Sequence, residues 1–475
     1  MTVSNRNEAP AVAADDKIDP QTRKVLAVLV LGGMAAIMDT TIVTIALHDL
    51  VLDLHTGVNT IQWVTTAYLL ALTASIPITG WAEAHLGGKR LWIVALTLFL
   101  VGSTLCAISW NPLSLIAFRV FQGLGAGLLM TLMQTLAMRA AGGHASARVT
   151  AAISLPIALG PIIGPVLGGM LLTWADWRWI FLINVPLCLL GIVTAWKVLP
   201  ADRTAGSQAR PPLDLVGLLL LAPGLALLLF GLSRCGHSGS ATVTVDTIVA
   251  GVVLVLGFAL WALRRRDRAL IAISLLARRS VGSASLMMFL TGVTLYGAMF
   301  LLPLYWQLLR GESALGAALL LIPQGVGSLL TRLFIGKLTE RFGAPLVCMV
   351  AFAMTVVGTV PFALADGSTH TWLLGTALLV RGIGMGAVMV PIISSAYVGL
   401  EPSAIAHASM QTRIMQQVGG AFGTAIGAML LQTLASAAHP EHAFQGAFWV
   451  FTALGAGAAA ASFLLPTPDR SALKP

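Results

Sequence analysis

The sequence predicts an all-α polytopic membrane protein of about fourteen spanning helices, arranged as two six-helix bundles with an extra pair between them. Three observations carry this. The chain is 57% hydrophobic and only 10% charged, with a mean hydropathy of +0.88, whereas soluble domains devote about 25% of their residues to charge. Apolar runs of about twenty residues, the length needed to cross a bilayer, recur along the chain. The basic residues between them crowd into alternate connections.

Residues 1–22 are polar and rich in Ala and Asp, with no apolar core before a small-residue cleavage site, and are expected to be a disordered cytoplasmic tail. Helices are expected to begin near Lys24, Thr60, Lys89, Pro112, Arg148 and Arg178, closing an amino-terminal bundle over 23–200. A cytoplasmic loop at 201–212 leads into two extra helices within 213–264, starting near Leu213 and Val245. Their apolar cores contain no acid, so both are expected to face lipid. A basic linker at 265–280 precedes the carboxy-terminal bundle, 281–466, with helices from near Val281, Ser313, Gly343, Thr371, Ser403 and Ala443, and a cytoplasmic tail at 467–475.

With a cytoplasmic amino terminus, Lys89, Arg90, Arg139, Arg148, Lys197, the Arg264 to Arg268 run, Lys337 and Arg341 all fall inside, and only Arg178, Arg234 and Arg310 outside. Moving the count by one helix destroys the asymmetry, so both termini are expected to be cytoplasmic. Trp63, Trp110, Trp174, Trp177, Trp179, Trp306 and Trp372 lie near the outer ends and suit an interfacial belt. The net charge of +9 comes from short loops, not from a basic stripe interleaved with aromatics, so no nucleic-acid partner is expected. Cys106, Cys188, Cys235 and Cys348 are scattered through apolar sequence and suggest neither disulfides nor a metal knuckle.

A weak repeat links the halves. Gly80 to Gly87 and Gly336 to Gly343 each bracket an acid, Glu83 and Glu340, with Lys89 and Arg90 following the first and Arg341 inside the second. Each segment precedes, by about forty residues, an arginine in a glycine-rich helix, Arg119 and Arg381. The family resemblance set out below implies that these paired loops act as gates.

Asp39 is the acid set deep in an apolar span, where insertion costs about 2.5 to 3.5 kcal/mol, and such an acid is usually functional. Arg119, followed by Gln122, Gly123 and Gly125, needs a partner in the same setting. The pair is expected to couple transport to protons; simple bonding of Asp39 to Thr40 and Thr44, or of Arg119 to carbonyl oxygens, is the structural alternative. In the fifth helix Gly160-Pro161, Gly164-Pro165 and Gly168-Gly169 set a Cβ-free face beside two bending prolines. That face is expected to let the two bundles close tightly against each other. Met34, Gln122, Met130, Gln134, Tyr296, Phe300, Tyr305 and Trp306 could line a substrate cavity, since methionines and aromatics make adaptable surfaces, although ordinary helix packing explains them too. His48, Asp49, Asp53 and His55, and His439 to His442, read as solvated loops, so no metal site is expected.

Met38-Asp39-Thr40-Thr41, Leu115 to Gly125 around Arg119, the Gly160 to Gly169 run, Trp177-Arg178-Trp179 with Asn184 and Pro186, and Gly419-Gly420-Ala-Phe-Gly423 together resemble the fourteen-span drug:proton antiporters of the major facilitator superfamily, the EmrB/QacA type. The chain departs from that family at Ala84 and His85, where the family carries Asp and often Arg, at His48 after Leu47, where it has Pro, and at Gln416, where it often has Arg, with Arg413 one turn earlier. The resemblance implies a major facilitator fold and proton-coupled export of bulky, amphiphilic or lipophilic compounds by alternating access. It implies a monomer in the bacterial inner membrane, with no cofactor beyond the proton gradient; the sequence leaves open whether a periplasmic adaptor joins it. The alternatives are a dedicated exporter of one endogenous metabolite or antibiotic and, more distantly, a non-transporting sensor or scaffold. An enzyme is not expected, since HExxH, GxSxG and paired catalytic carboxylates are missing.

Overall fold

The structure, a computed structural model, describes residues 19–140, 147–201, 213–234, 241–265, 273–434 and 440–466. In chain order its long helices are α1 Pro20–Ile45, α2 Val58–Leu86, α3 Gly88–Ala107, α4 Pro112–Ala140, α5 Ala147–Trp174, α6 Trp179–Val198, α7 Leu215–Arg234, α8 Ala241–Arg265, α9 Arg279–Leu309, α10 Ala314–Arg332, α11 Ala344–Leu364, α12 Thr371–Ala396, α13 Pro402–Thr433 and α14 Pro440–Ala461. Among the described residues 13 stretches are long and apolar enough to cross a membrane. The remaining helix, α5, is 28 residues long, and its described apolar part is Ile162–Trp174. The first helix starts earlier than expected because Asp19 caps it, accepting from the amides of Gln21 at 3.0 Å and Thr22 at 3.3 Å, with Pro20 preset for the first turn.

Packing follows the repeat. In the first half α4 packs on α1, α2 and α3, α1 on α5 and α6, and α3 on α6; in the second α12 packs on α9, α10 and α11, α9 on α13 and α14, and α11 on α14. Each contact in one half has its counterpart eight helices on. The loops that announced the repeat also match in backbone: Gly87 and Gly343 both sit at φ 83, with ψ 160 and 155, and each donates its amide to the carbonyl four residues back at 2.9 Å. Only glycine adopts that conformation without strain, which is why the motif keeps one there.

The two bundles meet along two seams, α2 with α13 and α5 with α10. Thr22 Oγ1 donates to the Ala140 carbonyl at 2.9 Å and Arg279 Nε to the Leu464 carbonyl at 3.4 Å, so the start of α1 shares an end of its bundle with Arg139, and the end of α14 lies beside Arg279. At the opposite end α9 finishes in a π-turn, Tyr305–Leu309, after Pro303. The turn carries Gln307 across the divide, where Nε2 donates to the Ile45 carbonyl at 3.0 Å.

Three expectations need correcting. The extra pair is not uniformly lipid-facing: α8 exposes Val245, Val249, Val253, Leu256 and Leu260, but α7 packs against both α2 and α13, with Leu225 and Leu229 buried in the core. Asp214 ties the hairpin together, accepting from Trp261 Nε1 at 2.9 Å and the Gly217 amide at 3.0 Å. The aromatic belt is partial, because Trp110, Trp174, Trp179 and Trp372 are exposed whereas Trp177 and Trp306 are buried. Trp177 is drawn inward by a hydrogen bond from its Nε1 to Asp53 at 2.9 Å. Finally, Gly160, Gly164 and Gly168 do not face the other bundle. They receive Ile37, Thr41, Ile42 and Ile45 of α1, and only Gly169 meets α10, at Ala314, Leu315 and Ala318. The stripe serves close packing inside one bundle, since α1 is the neighbour that α5 must approach to bury both apolar faces.

Candidate functional site: a carboxylate knot in the first bundle

Five helices of the first bundle converge on Asp39, which is completely buried. From α4, Arg119 Nη1 donates to Oδ2 at 2.5 Å, and Gln122, one turn on, donates through Nε2 to Oδ1 at 2.7 Å. From α6, Asn184 Nδ2 donates to Oδ1 at 3.1 Å. Ser103 of α3 accepts from Gln122 and Asn184 and donates to the Phe181 carbonyl at 2.9 Å. From α2, the Val64 carbonyl accepts from Arg119 Nε at 3.0 Å, and the Tyr68 ring lies 4.0 Å beneath the guanidinium carbon. Arg119 Nη1 also reaches Gln122 Oε1 at 2.6 Å. Close backbone approach makes room for this. A Cβ on Gly102 would strike the Gln122 backbone, and one on Gly123 would strike the Tyr68 carbonyl.

Arg119, Gln122, Asn184 and Ser103 are each at most 1% exposed. The carboxylate is therefore held by charge and three donors in a dry site, where such interactions are strongest and an unpaired group is most costly. The sequence singled out Asp39, Arg119 and Gln122. Ser103 and Tyr68 were missed, and Asn184 was noted only within a motif, because uncharged residues in an apolar span give little signal.

One turn from the knot Tyr68 and Thr40 hydroxyls lie 3.3 Å apart and both reach the Ala36 carbonyl. Thr41 Oγ1 donates to the Gly160 carbonyl of α5 at 3.1 Å, linking the acid-bearing helix to the glycine-rich one. The side chain of Pro161 lies outside the described residues; Gly164, Pro165, Gly168 and Gly169 are buried.

Of the residues expected to gate, Glu83 pairs with Arg139 at 2.9 Å, joining the ends of α2 and α4. Lys89 Nζ caps the end of α6, donating to the carbonyls of Trp196 at 2.7 Å and Leu199 at 2.8 Å. Arg90 is exposed next to it; in the second loop Glu340 is exposed, and Arg341 lies over the Phe342 ring at 5.2 Å. Arg381, counterpart of Arg119, is a clamp, donating to Gln324 Oε1 at 2.8 Å and the Thr294 carbonyl at 2.9 Å.

A small cleft lies between the bundles, lined by residues that include Thr44, Pro165, Met299, Gln324, Ser328 and Met385. None of the eight expected cavity residues lines it. Gln122 belongs to the carboxylate knot. Phe300, Tyr305 and Trp306 are at most 1% exposed, and Tyr305 and Trp306 pack edge-on with Phe362, which leans on Phe448, in the core of the second bundle. Met34, Met130 and Tyr296 are half-buried, and Gln134 is exposed. Helical composition did not reveal which face of α9 turns inward. Among the described residues no group of His, Cys, Asp and Glu could hold a metal; Cys106, Cys188 and Cys348 are buried free thiols, while Cys235 and His439 lie outside the described residues.

The profile of the Major Facilitator Superfamily matches residues 29–424, which contain the whole knot and most of both bundles. The chain belongs to the major facilitator superfamily. A Mycobacterium tuberculosis protein named multidrug resistance protein B homolog is 35% identical to it over 436 residues, covering 91% of this chain and 80% of that protein. The methylenomycin A resistance protein of Bacillus subtilis is 29% identical, covering 93% of each. In fold the chain is similar to the inward-open xylose transporter XylE from E. coli, with a TM-score of 0.65 at 14% identity over 94% of this chain and 97% of the other. This superfamily member is thus a multi-pass transporter, and its resemblance to drug:proton antiporters agrees with the names of its relatives.

Proposed function

We propose that the protein exports drugs or other bulky amphiphiles in exchange for protons, by alternating access of the two bundles, from the bacterial plasma membrane with both termini in the cytoplasm. The observation that carries the reading is the Asp39 knot. A carboxylate buried with one arginine and two amides can exist charged; protonation discharges it and removes the main partner of Arg119. The guanidinium must then re-pair, and five helices share the consequence. Thr41, two residues beyond Asp39, grips α5, which in turn carries Gly169 and Ile162 against α10. A change at the acid therefore has a mechanical line to the seam between the bundles.

One proton moving inward through 100 mV supplies about 2.3 kcal/mol, enough to drive useful accumulation outside. The small molecule and the proton are the working partners, the proton gradient is the energy source, and the protein works as a monomer in the bilayer. The test is a drug-susceptibility panel in a pump-deficient bacterial host. Expression should raise tolerance to several chemically unrelated amphiphiles, and collapsing the proton gradient should abolish their efflux. Tolerance to a single compound would favour dedicated export, a reading in keeping with relatives named for resistance to one antibiotic, methylenomycin A or lincomycin. No change in any tolerance or efflux rate would reject transport.

A further inference from the structure

The cleft between the bundles is lined without charge. Among the described residues its walls are apolar side chains, glycines and three neutral polar residues, Thr44 of α1 and Gln324 and Ser328 of α10. On α10 the lining residues are Leu321, Gln324, Gly325 and Ser328, at i, i+3, i+4 and i+7, which is a single helical face, so the two polar side chains stand one turn apart toward the same space. Glycines of α12 bring that face into place. A Cβ on Gly382 would strike the Gln324 carbonyl and one on Gly386 the Ser328 backbone, so α10 and α12 touch at main chain and Gln324 comes within reach of Arg381.

Arg381 does not line the cleft, but it decides what Gln324 offers there. Its Nη1 donates to Gln324 Oε1 at 2.8 Å and its Nη2 to the Thr294 carbonyl at 2.9 Å. A guanidinium carries no acceptor, so only the oxygen of the amide can face it, and the Nε2 end is left over as a donor. Among the described residues neither Gln324 Nε2 nor the Ser328 hydroxyl has a hydrogen-bond partner. Across the cleft Thr44 Oγ1 already donates to the Thr41 carbonyl at 2.7 Å, which leaves it to accept. An ion entering this space would lose its water and meet no opposite charge, whereas a carbonyl oxygen would exchange water for Nε2.

We propose that the cleft selects uncharged amphiphiles through a carbonyl group, such as a ketone, ester, lactone or tertiary amide, that accepts a hydrogen bond from Gln324 Nε2; this rests on the exporter reading above. Ser328 supplies a second donor one turn away, and Met299 and Met385 give the adjoining apolar part an adaptable wall. Arg381 is a positioning residue, acting through the orientation it imposes on Gln324. The cleft is small, so the functional group is what it reads, and the body of the substrate is taken in as the bundles part. Gln324 and Ser328 belong to one bundle and Thr44 to the other, so a substrate carrying a carbonyl and a hydroxyl bridges the two.

The test uses the full-length protein reconstituted in phosphatidylcholine vesicles with an imposed proton gradient. Four probes, each at sub-saturating concentration, share one naphthyl-alkyl body and end in a dimethylamide, a methyl thioether, a sulfonate or a trimethylammonium group. The dimethylamide should be pumped about ten-fold faster than the thioether, a weak acceptor, and at least about ten-fold faster than either ion. Gln324→Glu keeps an oxygen for Arg381 but has no donor, so it should bring the dimethylamide down to the rate of the thioether and leave the thioether unchanged. Gln324→Leu should do the same, and an unaltered unfolding temperature of either variant in detergent separates lost recognition from lost structure. Equal or faster pumping of an ion, or Gln324 variants of wild-type stability that keep the dimethylamide preference or slow both neutral probes alike, would overturn the proposal while leaving export intact. If no probe moves, the proposal falls as well; the susceptibility panel then shows separately whether the exporter reading survives.

Discussion

Replacing Asp39 by asparagine removes one charge and little volume from the knot. With its carbonyl oxygen in place of Oδ1 the new side chain still accepts from Gln122 and Asn184 but sets its amide nitrogen against Arg119 Nη1; in the reverse orientation it accepts from Arg119 alone and its nitrogen faces both amides. Removing one member of a buried ion pair costs about 3 to 5 kcal/mol. Here the lower end applies, because Arg119 keeps the Val64 carbonyl, Gln122 Oε1 and the Tyr68 ring. A loss of about 3 kcal/mol should lower the unfolding temperature measured in detergent without preventing folding. In energised inverted vesicles the variant should lose uphill transport, since no carboxylate remains to take up a proton, while still exchanging substrate down its gradient. Asp39→Glu should retain part of the uphill activity. Full proton-driven pumping by Asp39→Asn at wild-type stability would refute the reasoning, because the knot would then be neither the coupling site nor a structural ion pair.

Asn184→Ala should cost about 1.5 to 3 kcal/mol, the worth of a hydrogen bond to a charged group, and Asn184→Asp should be worse because it sets a second carboxylate beside Oδ1; thermal unfolding in detergent reads both. Gly164→Leu places a side chain on Thr41 of α1, so it should uncouple or stop transport by parting α1 from α5, and a fully coupled variant would show that this contact is dispensable. Gly87→Ala and Gly343→Ala should each destabilise by about 1 to 3 kcal/mol, and similarly, because both glycines occupy the same left-handed backbone conformation; a large difference in unfolding temperature would contradict the structural repeat. In the loop before α12 the hydroxyls of Ser368 and Thr369 and the Ser368 amide hold the Asp366 carboxyl down to about 2, from its ordinary 3.8. A depressed acid contributes in full above its unfolded value and loses that contribution as pH falls through its folded one. Protection of the Ser368 amide, its exchange rate measured against the intrinsic rate at the same pH, should accordingly stay constant down to about pH 4 and fall toward pH 2.

Much of this arrangement is written plainly in the chain. Twenty-residue apolar runs fix the helices because unsatisfied backbone cannot cross a bilayer, and the paired Gly80 to Gly87 and Gly336 to Gly343 loops disclose the two halves. Asp39 and Arg119, 80 residues apart, could each be found alone since charge in such a setting is conspicuous, and need for a partner brings them together. Asn184, Ser103 and Tyr68 lack that contrast. The inward face of α9 was misassigned for a related reason: Tyr305 and Trp306 are as suited to an aromatic core as to a cavity wall, and only the packing of Phe362, Phe444 and Phe448 decides between them. The glycine stripe of α5 announced a close approach but not which neighbour would make it.

The position of α7 breaks the equivalence of the two seams. By lying against both α2 and α13, with Leu218, Leu221 and Leu225 facing Leu70, Pro77 and Ile414, it roofs the α2–α13 seam from the surrounding hydrocarbon. Among the described residues no helix of the extra pair lies over the α5–α10 seam, where Ile162 meets Gly325 and Gly169 meets Leu315. The additional hairpin thus gives an otherwise two-fold machine a front and a back.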